Sequence, residues 1–216
     1  MTESAAPADA LLLVATGCSH CPTVLEGLSR LLKQGRIGRL EVINLAVHPE
    51  AGQALGVRSV PWTRIGPFEL EGLLGAAELE DWAARAADGS GFGAYYRHLL
   101  EGRRLPRVVE LVRERPASLA ELLALIDDED TPMAVRIGIG AVFEELEGDP
   151  LLQDLVPELA ILAASEPVRI RADVAHYLGL SRSLAAQPVL ERLLDDASEE
   201  VREIAAESLA LLQAAD

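Results

Sequence analysis

The chain has 216 residues, of which 50% are hydrophobic and only 4% aromatic, and its formal net charge at pH 7 is −16. This length and apolar content are enough to bury a core, so the composition argues against a disordered chain. The acidic surface repels phosphate backbones, which argues against nucleic acid as a partner.

The first 88 residues alternate between strand-like and helix-like patterns. We predict elements in the order βαβαββα over residues 10–15, 21–34, 39–45, 49–55, 62–65, 68–70 and 76–87. Gly66 and Pro67 form the predicted turn between the two short strands. We therefore expect an α/β domain over residues 8–88.

A glycine-rich segment, residues 89–93, follows this pattern and is the predicted linker. Residues 94–216 contain no convincing strand and have the pattern of successive helices separated by Pro, Gly or acidic turns. The predicted fold class is therefore an α/β domain followed by an all-α domain.

Three segments of the second half share one pattern. Residues 130–136 and 196–202 match in the spacing of Asp, Val and Arg, and residues 165–171 fit the same frame with Ser and Ile as replacements. A repeated small-then-large pattern on one helical face is what stacked helical hairpins require. The small and large residues that follow each Arg by four and seven positions are Gly140, Ala175 and Ala206, then Phe143, Leu178 and Leu209.

These segments resemble HEAT repeats, and the HEAT-like repeats of bacterial proteins in particular. In those families an Asp of the inter-helix turn hydrogen-bonds to the Arg of the second helix. The resemblance implies a short α-solenoid over residues 94–216, with that structural role for Asp130, Asp196, Arg136, Arg171 and Arg202. The alternative is a set of unrelated amphipathic helices that share turn chemistry.

Cys18 and Cys21 are the only cysteines, and they stand as Cys-Ser-His-Cys-Pro between the first predicted strand and the first predicted helix. The unpaired N–H groups and the positive dipole end of a helix N-terminus stabilise a thiolate. We therefore predict a reversible dithiol–disulfide couple. Cys18 is the expected exposed nucleophile, and Cys21 is expected to resolve the mixed disulfide.

Residues 56–61 read Gly-Val-Arg-Ser-Val-Pro and end forty residues after Cys21. Together with the cysteine pair they resemble the thioredoxin superfamily, in which a cis-proline faces the Cys-x-x-Cys and the preceding backbone pairs with an extended substrate. The resemblance implies a thioredoxin-like fold for residues 8–88 and substrate-binding roles for Val60, Pro61 and Trp62. For Trp62 two roles stay open, an apolar contact face or a cap on the core.

Two departures from that family are informative. Gly17 stands where the usual Trp precedes the first cysteine, and the first strand has no Asp, which argues against a fast general disulfide reductase. His20 precedes Cys21, as in the oxidising DsbA-type proteins. We expect His20 to lower the pKa of Cys18 and to raise the potential of the couple above the thioredoxin value of about −270 mV. The alternative is that His20 is a solvent-exposed linker residue.

A zinc site is the competing chemistry, because His20 and His48 lie near the cysteines in sequence. The chain has no second Cys-x-x-Cys, however, and His20 lies inside the chelate loop, so we expect no metal and no cofactor besides the redox-active disulfide. No secretory signal and no apolar run of about 20 residues is visible. We therefore expect a cytoplasmic protein without membrane insertion.

The sequence thus predicts a thiol-disulfide oxidoreductase that uses the Cys18/Cys21 couple and docks protein partners, bearing thiols or disulfides, through its HEAT-like domain. The alternative is a non-enzymatic adaptor or assembly chaperone, in which the helical surface binds partners and the cysteines sense redox state or are inactive. The Ala- and Leu-rich helices are also compatible with a homodimer.

Overall fold

The computed structural model describes residues 6–213. Within them the protein is a mixed α/β molecule with one four-stranded sheet and twelve α-helices, and it is mostly helical. The chain divides after Gly91 into two compact units, at a point within the predicted linker 89–93. We call residues 6–91 the sheet unit and residues 92–213 the helical unit.

The sheet unit has its elements in the order βαβαββα, as predicted. Helix α1 has Pro22 in its first turn, where a missing N–H leaves no helical hydrogen bond unmade. The bounds are β1 Ala10–Val14, α1 Cys21–Lys33, β2 Leu40–Asn44, α2 Pro49–Ala54, β3 Trp62–Ile65, β4 Phe68–Glu71 and α3 Ala76–Asp88.

The strands of the sheet lie in the order β2-β1-β3-β4. Strand β1 runs parallel to β2, with Leu12 opposite Val42, and antiparallel to β3, with Leu12 opposite Thr63. Strand β4 is antiparallel to β3. The C-terminal ends of β1, β2 and β4 therefore meet the N-terminal end of β3 at one edge of the sheet, which we call the cysteine edge.

Apolar side chains cover both faces of the sheet. On one face Leu11, Leu13 and Trp62 form a buried cluster. Leu12 points to the opposite face because side chains alternate along a strand, and it is fully buried, as are Val24 in α1 and Leu79 in α3. Full burial of such a side chain stabilises the fold by roughly 1.5–3 kcal/mol. A central strand buried on both faces holds the start of the loop that follows it.

The helical unit contains no strand among its described residues, as predicted for this half. Three longer helices, α7, α10 and α12, each follow a shorter one, and α10 packs against both of the others. The bounds are α4 Phe92–Glu101, α5 Leu105–Glu114, α6 Ala120–Asp127, α7 Met133–Glu145, α8 Pro150–Asp154, α9 Val156–Leu162, α10 Val168–Leu180, α11 Gln187–Leu193 and α12 Glu199–Gln213.

An arginine closes the turn before α10 and the turn before α12 in the same way. Arg171 Nη1 donates to the carbonyl oxygens of Ser165 and Glu166, at 2.9 and 2.6 Å. Arg202 Nη1 donates to the carbonyl oxygens six and five residues before it, at 2.7 and 3.1 Å. These carbonyls lie outside the regular helical bonding pattern, so each guanidinium donates to backbone carbonyl oxygens that the helices leave unpaired.

The aspartate of the last turn binds the preceding arginine. Arg171 makes two hydrogen bonds to the Asp196 carboxylate, at 2.7 and 2.9 Å, and this carboxylate also accepts the backbone N–H of Ser198 at 2.8 Å. Arg171 thus connects the turn before its own helix to the turn before α12. The role that the resemblance implies for Asp196 and Arg171 matches these contacts.

In the turn before α7 the corresponding aspartate is Asp128, two residues before the predicted Asp130. The Asp128 carboxylate binds Arg97 at 2.8 Å and accepts the backbone N–H of Asp130 at 2.9 Å, as Asp196 does with its own partners. Arg136 instead binds Asp173, in α10, at 3.0 Å. Both turns contain five residues, but the carboxylate that is used lies at the first position of the turn before α7 and at the third position of the turn before α12, so the Asp-to-Arg spacing alone predicts the wrong aspartate.

The predicted small-then-large pattern holds in α10 and shifts in α12. Ala175 and Leu178 are buried, as expected for the packed face of α10. In α12 the predicted small residue Ala206 is exposed, and the buried small positions are Ala205 and Ser208. Helix α12 packs against α10 and α11, which sets the face that it buries.

Two helix-interior glycines should respond oppositely to alanine. A Cβ on Gly140 would meet only the Tyr177 hydroxyl, at 3.6 Å, so Gly140→Ala should raise the free energy of unfolding by roughly 0.5–1 kcal/mol. A Cβ on Gly179 would lie 2.7 Å from the Cβ of Ser208, so Gly179→Ala should lower the free energy of unfolding by about 1–3 kcal/mol. Urea unfolding measures both, and equal effects would contradict the close approach of α10 and α12.

The ion pair between Asp196 and Arg171 should make stability depend on pH. The hydrogen bonds from Arg171 hold the pKa of Asp196 below its ordinary value, although burial opposes them. A lowered folded-state pKa adds stability that is complete above the unfolded-state value, about 4, and is lost as pH falls through the folded value.

Replacement of this aspartate, Asp196→Asn, should therefore cost about 2 kcal/mol at neutral pH, between the values of exposed and fully buried pairs. The two side chains are only 9% and 14% exposed. Thermal unfolding from neutral to acidic pH should show the difference from the parent protein shrinking below about pH 4. The neighbouring Asp195→Asn is the control, and a loss that does not change with pH would refute the assignment.

Candidate active site

Cys18 and Cys21 are joined in a disulfide at the cysteine edge, with their sulfur atoms 2.11 Å and their Cα atoms 5.5 Å apart. Cys18 lies in the loop between β1 and α1 and is partly exposed, whereas Cys21 is the first residue of α1 and is buried. A partner sulfur can therefore approach Cys18 more readily than Cys21.

The sulfur of Cys18 occupies the place of a cap at the N-terminus of α1. The backbone N–H of Cys21 donates to Cys18 Sγ at 3.1 Å. His20, the N-cap residue, makes no capping hydrogen bond with its side chain, and the first turn of α1 contains no acidic residue. When the disulfide opens, this N–H and the helix dipole stabilise negative charge on Cys18.

A tight turn brings Cys18 to that position. The backbone N–H of Cys18 donates to the carbonyl of Ala15 at 3.2 Å, and Gly17 has a φ of +83° within this turn. L-residues with a side chain rarely adopt such a φ. Glycine at position 17 thus has a backbone reason, because Gly17 suits this turn and a tryptophan does not.

The Pro61 loop lies against the disulfide. The peptide bond between Val60 and Pro61 is cis, and the Val60 carbonyl oxygen lies 3.8 Å from Cys18 Sγ. The Pro61 carbonyl accepts the backbone N–H of Gly72 at 2.9 Å, which connects this loop to the chain after β4. Residues 42 positions apart in sequence thus meet at one edge, and proline offers no N–H there to compete for the sulfur.

The three residues expected on the substrate side differ in burial. Val60 is half-buried beside Cys18, and Pro61 is buried. Trp62 is only 1% exposed and belongs to the cluster with Leu11 and Leu13. Of the two roles left open for Trp62, this position corresponds to the core of the sheet unit.

The two histidines near the cysteines in sequence are both exposed. His20 lies at the start of α1, between the cysteines, and no hydrogen bond joins its imidazole to another described residue. His48 precedes α2, and its Nδ1 lies 3.1 Å from the Glu50 carboxylate. Within residues 6–213 no group of three or more His, Cys, Asp or Glu side chains is arranged to hold a metal ion.

Two exposed apolar side chains at the cysteine edge were not predicted as site residues. Val47 follows β2 and Leu73 follows β4, so both belong to loops at the same edge as Cys18. Their signal in the sequence is weak, because a single apolar residue in a loop is common. Only the strand order shows that these loops lie beside the cysteine loop.

The chain matches no model of a protein family, and no curated protein is significantly similar to it in sequence. None of the helices formed by residues 6–213 has the length and apolar character needed to cross a membrane.

Proposed function

We propose that the protein is a thiol-disulfide oxidoreductase that exchanges the Cys18–Cys21 disulfide with thiols of partner proteins. The observation that carries the proposal is the hydrogen bond from the Cys21 N–H to Cys18 Sγ, in a disulfide whose outer sulfur is partly exposed. A helix N-terminus that stabilises one sulfur as a thiolate favours exchange at that sulfur over an inert structural crosslink.

The reaction balances without a further cofactor. A partner thiolate attacks Cys18 Sγ, which forms a mixed disulfide and releases Cys21 as a thiolate that takes up a proton. A second partner thiolate then attacks the partner sulfur of the mixed disulfide and releases Cys18. The partner dithiol is oxidised to a disulfide, and the Cys18/Cys21 pair gains two electrons. The reverse sequence reduces a partner disulfide.

The thioredoxin-like assignment of the sheet unit supports the same chemistry. The order βαβαββα, the mixed sheet and the Cys-x-x-Cys between β1 and α1 all fit a thioredoxin-like start. Val60 beside Cys18 is in the position where such proteins pair with an extended substrate. We assign substrate contact to the Val60 and Pro61 backbone, to which Val47 and Leu73 add an apolar border.

The HEAT-like assignment of the helical unit rests on the repeated turn contacts. Arg171 and Arg202 close two turns with the same pair of carbonyl offsets, and α6–α7, α9–α10 and α11–α12 follow one another as short-then-long pairs. Repeats of this kind present extended surfaces to partners. In this proposal the helical unit selects the partner, and the reaction takes place in the cytoplasm, where such a pair is catalytic rather than a structural staple.

Trapping tests the proposal directly. In Cys21→Ser the mixed disulfide on Cys18 cannot be resolved, so partner proteins should accumulate in covalent complexes that reducing agent dissolves. The matched variant Cys18→Ser should trap far less, because Cys21 is buried. Non-reducing gels of native extracts read out both. No trapping by either variant, while a variant without cysteines still binds partners noncovalently, would favour the adaptor alternative. Equal trapping by both variants would refute the assignment of Cys18 as the nucleophile.

The role of His20 can be measured as a reduction potential. In buffers of defined glutathione ratio we expect the couple between about −270 and −120 mV. In this hypothesis the His20 side chain stabilises the Cys18 thiolate and with it the reduced state, so His20→Ala should lower the reduction potential by about 15–30 mV. The control is His48→Ala, an exposed histidine of the same unit. An unchanged potential in His20→Ala would refute the tuning role.

A further inference from the structure

The exposed surface of α7 carries two hollows that meet. One, of about 450 Å³, lies between α7 and the turn from α4 to α5, where Leu105 lines it. The other, of about 330 Å³, lies between α7 and α10, where Asp173 and Tyr177 line it. Ile137 and Ala141 line both hollows, so the two adjoin along α7, one on each side of these residues. We call the two hollows together the α7 groove.

Apolar side chains of α7 that line the α7 groove are open to water. Met133 and Ile137, one turn apart on the same side of α7, are 64% and 66% exposed. Two large aliphatic side chains in a concave surface gain free energy when a partner removes them from water. Isolated exposed aliphatics elsewhere in the helical unit, such as Ile161, line neither hollow.

Polar groups in the second hollow suit a peptide. The Tyr177 hydroxyl lies 3.6 Å from the position that a Cβ on Gly140 would take, and it makes no hydrogen bond to another described residue. Burial, and then the charge of Asp173, raises the pKa of Tyr177, so its hydroxyl stays neutral and can donate or accept. Glu144, whose side chain is exposed, lines the same hollow.

Charge decides between the candidate occupants. Residues 92–216 contain 24 Asp and Glu against 12 Arg and no Lys. In the second hollow Asp173 neutralises the charge of Arg136, so Glu144 leaves that hollow with a net negative charge. In the first hollow the charges of Glu101 and Arg103 balance each other. A second copy of this acidic chain, or a nucleic acid, would meet like charge, whereas a basic segment is attracted.

We propose that the α7 groove binds a basic peptide segment of a protein partner, with an aliphatic side chain on Met133 and Ile137 and a Lys or Arg beside Glu144. The 13 residues of α7 span about 20 Å, which an extended segment of about six residues covers. The inference rests on the proposed function only in assigning partner selection to the helical unit.

A binding measurement with designed peptides tests the proposal. The probes are two fluorescein-labelled peptides of about eight residues, one alternating Leu with Lys and the other Leu with Glu. The protein is the full chain with Cys18→Ser and Cys21→Ser, so that disulfide exchange contributes nothing. Fluorescence anisotropy at about 0.15 M salt should show binding of the Lys peptide at least tenfold tighter than of the Glu peptide.

Matched variants locate the site. Three variants should each weaken binding of the Lys peptide by about fivefold to tenfold. Ile137→Ser removes an apolar side chain of the groove, Glu144→Lys reverses its charge, and Gly140→Leu fills the second hollow. Their controls are Ile161→Ser, Glu145→Lys and Gly140→Ala. The first two make the same substitution outside the groove, and the third adds only one methyl group at the same position. The controls should bind within about twofold of the parent.

Three results would overturn the proposal. Absent binding of the Lys peptide, or equal loss in Glu145→Lys and Glu144→Lys, would show that the groove is not the site. A dimer that Ile137→Ser converts to a monomer would show that a second copy covers it. Because the probes lack cysteine, these results are independent of the trapping experiment. Peptide binding without trapping would refute the redox proposal alone. Trapping without peptide binding would refute the groove proposal alone.

Discussion

The hydrogen bond between the Cys21 N–H and the Cys18 sulfur is the contact on which the proposed chemistry of the sheet unit depends. A helix N-terminus needs an acceptor, and neither the His20 side chain nor an acidic residue of the first turn supplies one. The sulfur supplies it. The same group that caps α1 in the disulfide becomes the favoured site of negative charge after the disulfide opens, so helix capping and reactivity are one interaction.

The surrounding fold serves to hold that sulfur in place. Strand β1 is buried on both faces, which fixes where its loop begins, and Gly17 supplies the left-handed turn that the loop requires. The antiparallel pairing of β3 with β1 then brings Val60 to the same edge. In the helical unit, by contrast, arginines such as Arg171 satisfy turn carbonyls and aspartates at once, and most of the remaining acidic side chains are exposed to solvent.

Local patterns predicted well where the physical cause was itself local. The cysteine spacing beside a helix start, and the switch from period-two to helical patterning, correctly placed Cys18, Cys21 and every element of the sheet unit. Prediction failed where a tertiary contact decides the role of a residue. The Asp-to-Arg spacing predicts Asp130, whereas the position of Arg97 shows that Asp128 is the carboxylate that is used. Trp62 stayed undecided because its burial depends on which face of the sheet it covers.

The sequence by itself determined the position of the cysteine pair, the order of the elements in the sheet unit and the acidic character of the helical half, because these follow from residue type and short-range periodicity. The tertiary structure alone decided which loops share an edge with Cys18, among them those of Val47 and Leu73, and which face of α7 remains open. Strand order and helix packing are set by long-range burial, and the spacing of residues along the chain does not encode which distant surfaces will be covered.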